Sequence, residues 1–328
     1  MKSVRQKEMK RGAKEKMKPK KSYKIDEAVI EQAISELESI RDFIRWAYTR
    51  FEQADLFYGH GTDNAWDEAV ALILQSLSLP FDTPDLILQS KLIFSERVLL
   101  ADRIKRRINH KIPVAYLTNK ALFCESEYYV DERVLVPRSP IAELIENHFE
   151  PWIDLNKVSN ILDLCTGSGC IAIACGQYFS DAIVDAGDIS ADCIEVAEIN
   201  RERLQQENVA FYLSDLFEQM PNKKYDIIVS NPPYVDAEDF DEIPEEFLSE
   251  PKLGLTSGTD GLELTRRLLT QASEFLSDDG ILVVEVGNSA MALEKSYPNV
   301  EFTWLEFKRG GLGVFLLTKL QLEEMSLI

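Results

Sequence analysis

Little in this sequence suits metal or disulfide chemistry. Histidine occurs three times in 328 residues, and His60, His110 and His148 lie far apart in the chain, so no metal site is expected. The five cysteines (Cys124, Cys165, Cys170, Cys175 and Cys193) are odd in number and contain no C-x-x-C pair. They read as buried, reduced thiols of a cytoplasmic protein, not as a disulfide framework. No apolar run approaches the roughly 18 residues of a membrane span, so no membrane partner is expected. The basic N-terminus has no hydrophobic stretch behind it and is not expected to act as a secretory signal. Basic residues are scarce elsewhere: residues 1–24 hold 11 Lys/Arg against two acids, a local charge of +9. The other 25 basic residues face 54 acidic ones, leaving −29 on residues 25–328 and −20 in total. Such a body is repelled by phosphate backbones, so stable nucleic-acid binding is disfavoured and a basic partner favoured.

What is present is a soluble globular composition, 45% hydrophobic and 28% charged, long enough for two domains. Residues 1–24 read as a solvated, disordered tail. From 25 to 115 the pattern is helical: Ile30, Ile34, Leu37, Ile40, Ile44 and Ala47 recur at steps of three and four and make one apolar face. Further helices are expected at 66–78, ended by Pro80, and at 96–108. Residues 116–136, with "ALFCESEYYVDERVLVP", are rich in aromatic and β-branched residues and predict a β-hairpin linker. A helix is expected over 140–149. Beyond residue 160, strands alternate with helices, with strands expected at 161–164, 183–187, 210–213, 225–230, 281–286, 302–307 and 314–318. That alternation predicts a doubly wound, mainly parallel seven-stranded α/β sheet over 137–328, closed by an antiparallel edge hairpin.

"ILDLCTGSGCIAIA" is an apolar strand, a turn with Gly167 and Gly169, and a helix start. Glycines there allow close backbone approach, and the helix N-terminus aims amide N–H groups into the same crevice. Asp188, after the next strand, is placed to accept two ribose hydroxyls, and Asp215, after the third, to meet an adenine amino group. Asp163 precedes the turn and reads either as a loop cap or as the partner of an amino group. Ala172 stands at the third motif position, where glycine or alanine is permitted, so the turn alone does not separate NAD from S-adenosylmethionine.

"SNPPYV" follows the apolar run "YDIIV", which puts Asn231 at a carboxyl-terminal strand edge, where open α/β sheets bind ligands. The residue types suit methylation of a planar nitrogen. The Asn231 side-chain oxygen can accept one N–H and the Pro232 carbonyl another. Pro232 and Pro233 restrict the backbone, and Tyr234 offers an aromatic face. No catalytic histidine is expected.

At these residues the chain resembles the Asn-Pro-Pro-Tyr class of S-adenosylmethionine-dependent methyltransferases, which act on DNA adenine, rRNA guanine or protein glutamine. The helical N-domain, "PVAYLTNKALFCESEYYVDERVLVPR" and "EPKLGLTSGTDGLE" resemble the HemK-type protein-glutamine methyltransferase family over about 25–319. That resemblance implies a Rossmann-like methyltransferase fold with a helical substrate-recognition domain. It puts Thr166, Gly167, Gly169, Asp188 and Asp215 in the cofactor pocket, and Asn231, Pro232, Pro233 and Tyr234 around a glutamine amide; Asp163 and Asn231 are expected to border the cofactor as well. The release-factor branch has Arg-Pro-Glu-Thr-Glu where this chain has Arg138-Ser139-Pro140-Ile141-Ala142. "VPRSPIAELI" and "VEVGNS" resemble instead the branch acting on ribosomal protein L-three, a basic partner for an acidic enzyme. Release factors, nucleic-acid adenine and a non-catalytic ribosome-assembly role are the alternatives.

Overall fold

Two helices, not one, arise from the first apolar stripe. α1 (Glu27–Glu36) and α2 (Ile40–Gln53) are separated at Ser39, whose hydroxyl accepts from the Asp42 amide at 3.1 Å while Asp42 Oδ2 accepts from the Ser39 amide at 2.9 Å. This reciprocal capping box restarts the helix without interrupting the stripe, and Ile30, Ile40, Phe43, Ile44 and Ala47 are all buried. The computed structural model describes residues 23–240 and 242–325. The Lys-rich tail, apart from Tyr23 and Lys24, lies outside the described residues.

The chain divides into two compact units. The helical unit comprises the described residues up to 57 and 65–110. Counting helices of six residues or more, it adds α3 (Ala65–Ser76) and α4 (Phe94–His110). Its core holds Phe43, Phe51, Leu72, Ile73, Leu100 and Ile104, each contributing ~1.5–3 kcal/mol by leaving water. Arg107 and Glu68 form a buried ion pair within it.

The sheet unit comprises 58–64 and the described residues from 111 onward. Its small hairpin, β1 (Ala121–Phe123) and β2 (Ser126–Tyr128), is shorter than the sequence suggests. Cys124 and Glu125 turn the chain at positive φ. Beyond β2, Val130, Val134 and Val136 bury in a small apolar cluster with Val196 instead of continuing the ladder.

The main sheet runs β5-β4-β3-β6-β7-β9-β8. Its strands are β3 (Asn160–Leu164), β4 (Ile183–Asp188), β5 (Val209–Leu213), β6 (Tyr225–Ser230), β7 (Leu276–Glu285), β8 (Thr303–Trp304) and β9 (Val314–Thr318). β3 to β7 are parallel, β9 is antiparallel to both its neighbours, and strand order reverses at β3/β6. α5 (Ile141–Glu146), α6 (Cys170–Tyr178), α7 (Ala191–Leu204), α8 (Glu263–Gln271), α9 (Ala290–Ser296) and α10 (Lys319–Met325) accompany it. Alternate strand residues feed two cores: Ile161, Ile227 and Val283 join Ile145 and Ile173, while Leu162, Ile228 and Leu282 join Leu268 and Leu322. Burial on both faces explains the near-continuous apolar strand sequences.

Two strand lengths differ from expectation. β7 starts early because a register shift opposite Tyr225 and Ile227 extends its pairing back to Leu276. β8 keeps only two residues; Phe302 and Trp304 pack their rings on Phe315 at 5.0 and 5.7 Å between centroids. No described helix is long and apolar enough to cross a membrane.

Candidate active site

Strand register places the site. Leu164 pairs with Gly187 and Ser230, and Ser230 with Val284. One step beyond that level stand Cys165, Asp188, Asn231 and Glu285, a row at the carboxyl ends of four adjacent strands, on the reversal of strand order.

The turn leaving β3 carries positive φ at Cys165 (60°), Gly167 (55°) and Gly169 (78°). Its two glycines differ in purpose. A Cβ at Gly167 would meet nothing within 4 Å, so the backbone there borders open space. A Cβ at Gly169 would lie 2.9 Å from Phe211 and 3.0 Å from Ala197, so α6 can approach β5 and α7 only without one.

Asp163 is fully buried below this turn. Its Oδ2 accepts from the Thr166 hydroxyl at 2.6 Å and the Ala172 amide at 3.1 Å, while Oδ1 has no partner. Burial pushes its carboxyl up to about 7, against the pull of those two bonds. The loop-cap reading is therefore met by one oxygen, and the other is an orphaned acceptor suited to a cationic amine.

Asp188 accepts from the Gly167 amide at 2.9 Å and the Ser190 amide at 3.0 Å. Burial raises its carboxyl, and those two amides oppose the rise. The same carboxylate thus braces the turn, and its remaining lone pairs can accept hydroxyls. Asp215 is paired with Arg267 of α8 at 2.9 Å. Nothing in the α8 sequence marked Arg267 apart from other surface arginines.

Of the Asn-Pro-Pro-Tyr run, Pro232 is buried and Asn231, Pro233 and Tyr234 are half-buried. Ser230 ties its base to β3 by donating to the Leu164 carbonyl at 2.7 Å. Beyond it, the Val235 amide donates to Leu255 O at 2.8 Å, so "LGLTSG" lies alongside the exit of the run. The Tyr234 hydroxyl donates to Glu285 Oε1 at 3.0 Å, and Ser139 donates to Oε2 at 2.6 Å. Neither Glu285 nor Ser139 was expected as a site residue, although both lie in stretches that mark the branch.

In the same unit, Glu250 accepts from Arg138 through both carboxylate oxygens, at 2.5 and 2.7 Å, and from the Val136 amide at 3.0 Å. His60 Nε2 lies 3.6 Å from its Oε2. Burial alone would raise this carboxyl, but His60 and Arg138 outweigh it and hold it down to about 2. In the sequence Arg138 marks only the branch, and its partner Glu250 lies 112 residues away, with no local signal joining them.

Residues 143–261 match the methyltransferase small domain. The chain is 50% identical over 293 residues to a ribosomal protein uL3 glutamine methyltransferase of Neisseria gonorrhoeae, covering 89% of this chain and 98% of that one. It is 45% identical over 287 residues to the protein of that name from Francisella tularensis, covering 87% and 91%. This chain belongs to the ribosomal protein uL3 glutamine methyltransferase family. The resemblance drawn from its motifs is borne out, and it is an S-adenosylmethionine-dependent methyltransferase. The site fits that cofactor: an orphaned carboxylate oxygen at Asp163, open space at Gly167, and acids at the ends of β4 and after β5. The matched domain contains all of these and the Asn-Pro-Pro-Tyr run, whereas Ser139 and Glu285 fall outside it.

Proposed function

We propose that this enzyme transfers a methyl group from S-adenosylmethionine to the side-chain amide nitrogen of a glutamine in ribosomal protein uL3. The observation that carries this reading is Asn231, held one step past the Ser230–Leu164 bond and beside the glycine turn. The name shared by the relatives supports the choice of substrate. So does the −29 charge on residues 25–328, which suits a basic ribosomal protein better than DNA or a whole ribosome.

When bound, the cofactor supplies an electrophilic methyl group. Asp163 would hold its amino group, with Thr166, Gly167 and Gly169 along the turn, Asp188 at the ribose and Asp215 near the base. The protein's own work is then positioning. Asn231 accepts one amide N–H through its side-chain oxygen, and the Pro232 carbonyl accepts the other, within an approach of ~3–3.5 Å to the reacting carbon. Pro232 and Pro233 hold the strand exit in a narrow range of shapes. Tyr234 walls the planar amide. As positive charge develops on the nitrogen, its bonds to Asn231 and Pro232 strengthen, and the proton lost after transfer needs no strong base. Residues 25–115 would recognise the substrate, 116–136 would link, and 137–328 would carry the chemistry, all in the cytoplasm.

The test is transfer of labelled methyl to a panel of free uL3, intact ribosomes, release factors and DNA. Label on one glutamine of free uL3 is expected, faster than on ribosomes. In Asn231→Ala, turnover should collapse while cofactor affinity stays within a few-fold, as befits a contact made to the reacting amide. Preferred labelling of a release factor or of DNA overturns the substrate assignment.

A further inference from the structure

The stretch "VEVGNS" at the end of β7 has no part in the cofactor or amide contacts above, yet three of its residues converge on one tyrosine. Glu285 is at the level of Asn231, one step beyond the Ser230–Val284 pair, and only 6% exposed. It accepts the Tyr234 hydroxyl on one carboxylate oxygen and the Ser139 hydroxyl on the other. Two residues on, Gly287 leaves room for the ring: a Cβ there would come 2.5 Å from Tyr234 Cε2. Two further on, Ser289 donates to the Tyr234 carbonyl at 2.9 Å. The hydroxyl, the ring and the main chain of one tyrosine are each fixed by alternate residues of one segment.

A carboxylate is a poor choice for holding a fold together at this place. It is buried, and its two bonded donors are neutral hydroxyls; burial raises its pKa against their pull and that of the nearby Arg138 charge. An amide or an apolar residue would be buried at lower cost. What the carboxylate supplies is a strong, directional acceptor with two oxygens, one for the tyrosine and one for the serine that keeps the carboxylate itself from rotating.

We propose that Glu285, braced by Ser139, is a positioning residue that sets the Tyr234 ring as the wall of the amide pocket. The proposal rests on the reading of Asn231–Tyr234 as the glutamine site. It predicts that Glu285 affects the rate of transfer through Tyr234 and leaves the cofactor site alone.

Three variants of the full chain test it: Glu285→Gln, Tyr234→Phe and the double variant, with Ser139→Ala as a milder probe should Glu285→Gln fold poorly. Glu285→Gln should lower kcat on uL3 about 10- to 100-fold, because the amide has one acceptor oxygen and cannot take both hydroxyls as the carboxylate does. Cofactor affinity should stay within a few-fold and Tm should not fall in proportion. The double variant should be no slower than the worse single one, because the two residues act as a unit. A second readout needs no substrate: the ring resonance of Tyr234 in tyrosine-labelled protein, assigned through Tyr234→Phe, should shift in Glu285→Gln. Full activity of Glu285→Gln, or losses that multiply in the double variant, overturns the proposal while leaving the glutamine reading intact. If the native enzyme ignores uL3 but the resonance shifts, the glutamine reading fails and the Glu285–Tyr234 coupling stands. An unshifted resonance overturns the coupling itself.

Discussion

Ser230 donates its hydroxyl to the carbonyl of Leu164 across 2.7 Å, and both residues are fully buried. The bond lies at the last rung between β3 and β6, where one strand leaves for the glycine turn and the other for Asn231. It therefore ties the strand end that enters the glycine turn to the strand end that carries Asn231. Ser230→Ala removes one donor from a buried carbonyl, and the expected loss of stability is ~1–3 kcal/mol. Turnover should fall as well, since the two strand ends are freed. Denaturant midpoints and single-turnover rates measure the two effects, and a variant unchanged in both would show that the bond holds nothing.

Asp163 should make cofactor binding depend on pH. Burial raises its carboxyl from an ordinary 3.8 to about 7. Below about 7 the folded, unliganded protein keeps this carboxyl neutral, and a neutral acid attracts no cationic amine. Affinity should therefore rise as pH increases through about 7. Stability moves the other way: between 3.8 and about 7 the folded state holds a proton the unfolded chain has released, so this group's contribution is lost as pH rises through that window. Calorimetric titrations on both sides of neutrality, with Asp163→Asn as reference, test the prediction. The variant should bind weakly and without this pH dependence.

Gly167→Ala and Gly169→Ala should fail differently. Both force alanine to positive φ, at a cost of ~1–2 kcal/mol. At Gly167 the new methyl enters open space, so the fold should survive with little more than that loss, while cofactor affinity drops. At Gly169 the methyl meets Phe211 and Ala197 at 3.0 Å or less, so destabilisation should be larger. Melting curves with and without cofactor separate the cases. Equal melting points for the two variants would contradict the division of labour.

The Arg138–Glu250 pair gives a stability prediction. Arg138→Met leaves a fully buried carboxylate with only His60 and the Val136 amide facing it, at an expected cost of up to ~3–5 kcal/mol. Adding Glu250→Gln should recover much of it, because the uncompensated charge is gone. The native pair stabilises above pH 4.5, and this contribution is lost as pH falls toward about 2, where Glu250 takes its proton. Urea unfolding of the native protein and the two variants at neutral pH supplies the numbers, and a double variant as weak as Arg138→Met would sink the charge explanation.

The sheet could be read from the sequence because buried parallel strands such as "ILDL" and "DIIVS" are short, mostly apolar runs that alternate with turns and helical stretches. Asp163, Asp188 and Asn231 could be named for the same reason: each is a polar residue at or beside the end of such a run. The break at Ser39 was hidden because the apolar spacing continues through it, although Ser39 and Asp42 carry a capping signature. Glu285 too is a polar residue ending an apolar strand, but its partners Ser139 and Tyr234 lie 146 and 51 residues away. The clasp of Arg138 on Glu250 is long-range in the same way. Such pairs have no period, and only the fold brings them together.

Gly313 rests against Gly287 so closely that a Cβ on it would fall 2.2 Å from the Gly287 carbonyl oxygen, and the Val286 amide donates to Gly313 O at 2.7 Å. Gly287 in turn lies against the Tyr234 ring. Between the turn that opens β9 and the tyrosine there are two layers of main chain and no intervening side chain. Elsewhere in a protein, small displacements are absorbed by rotamers, and here none are available. An insertion at 309–313 should therefore reach the Tyr234 ring through main chain alone, with no rotamer on the way to absorb it.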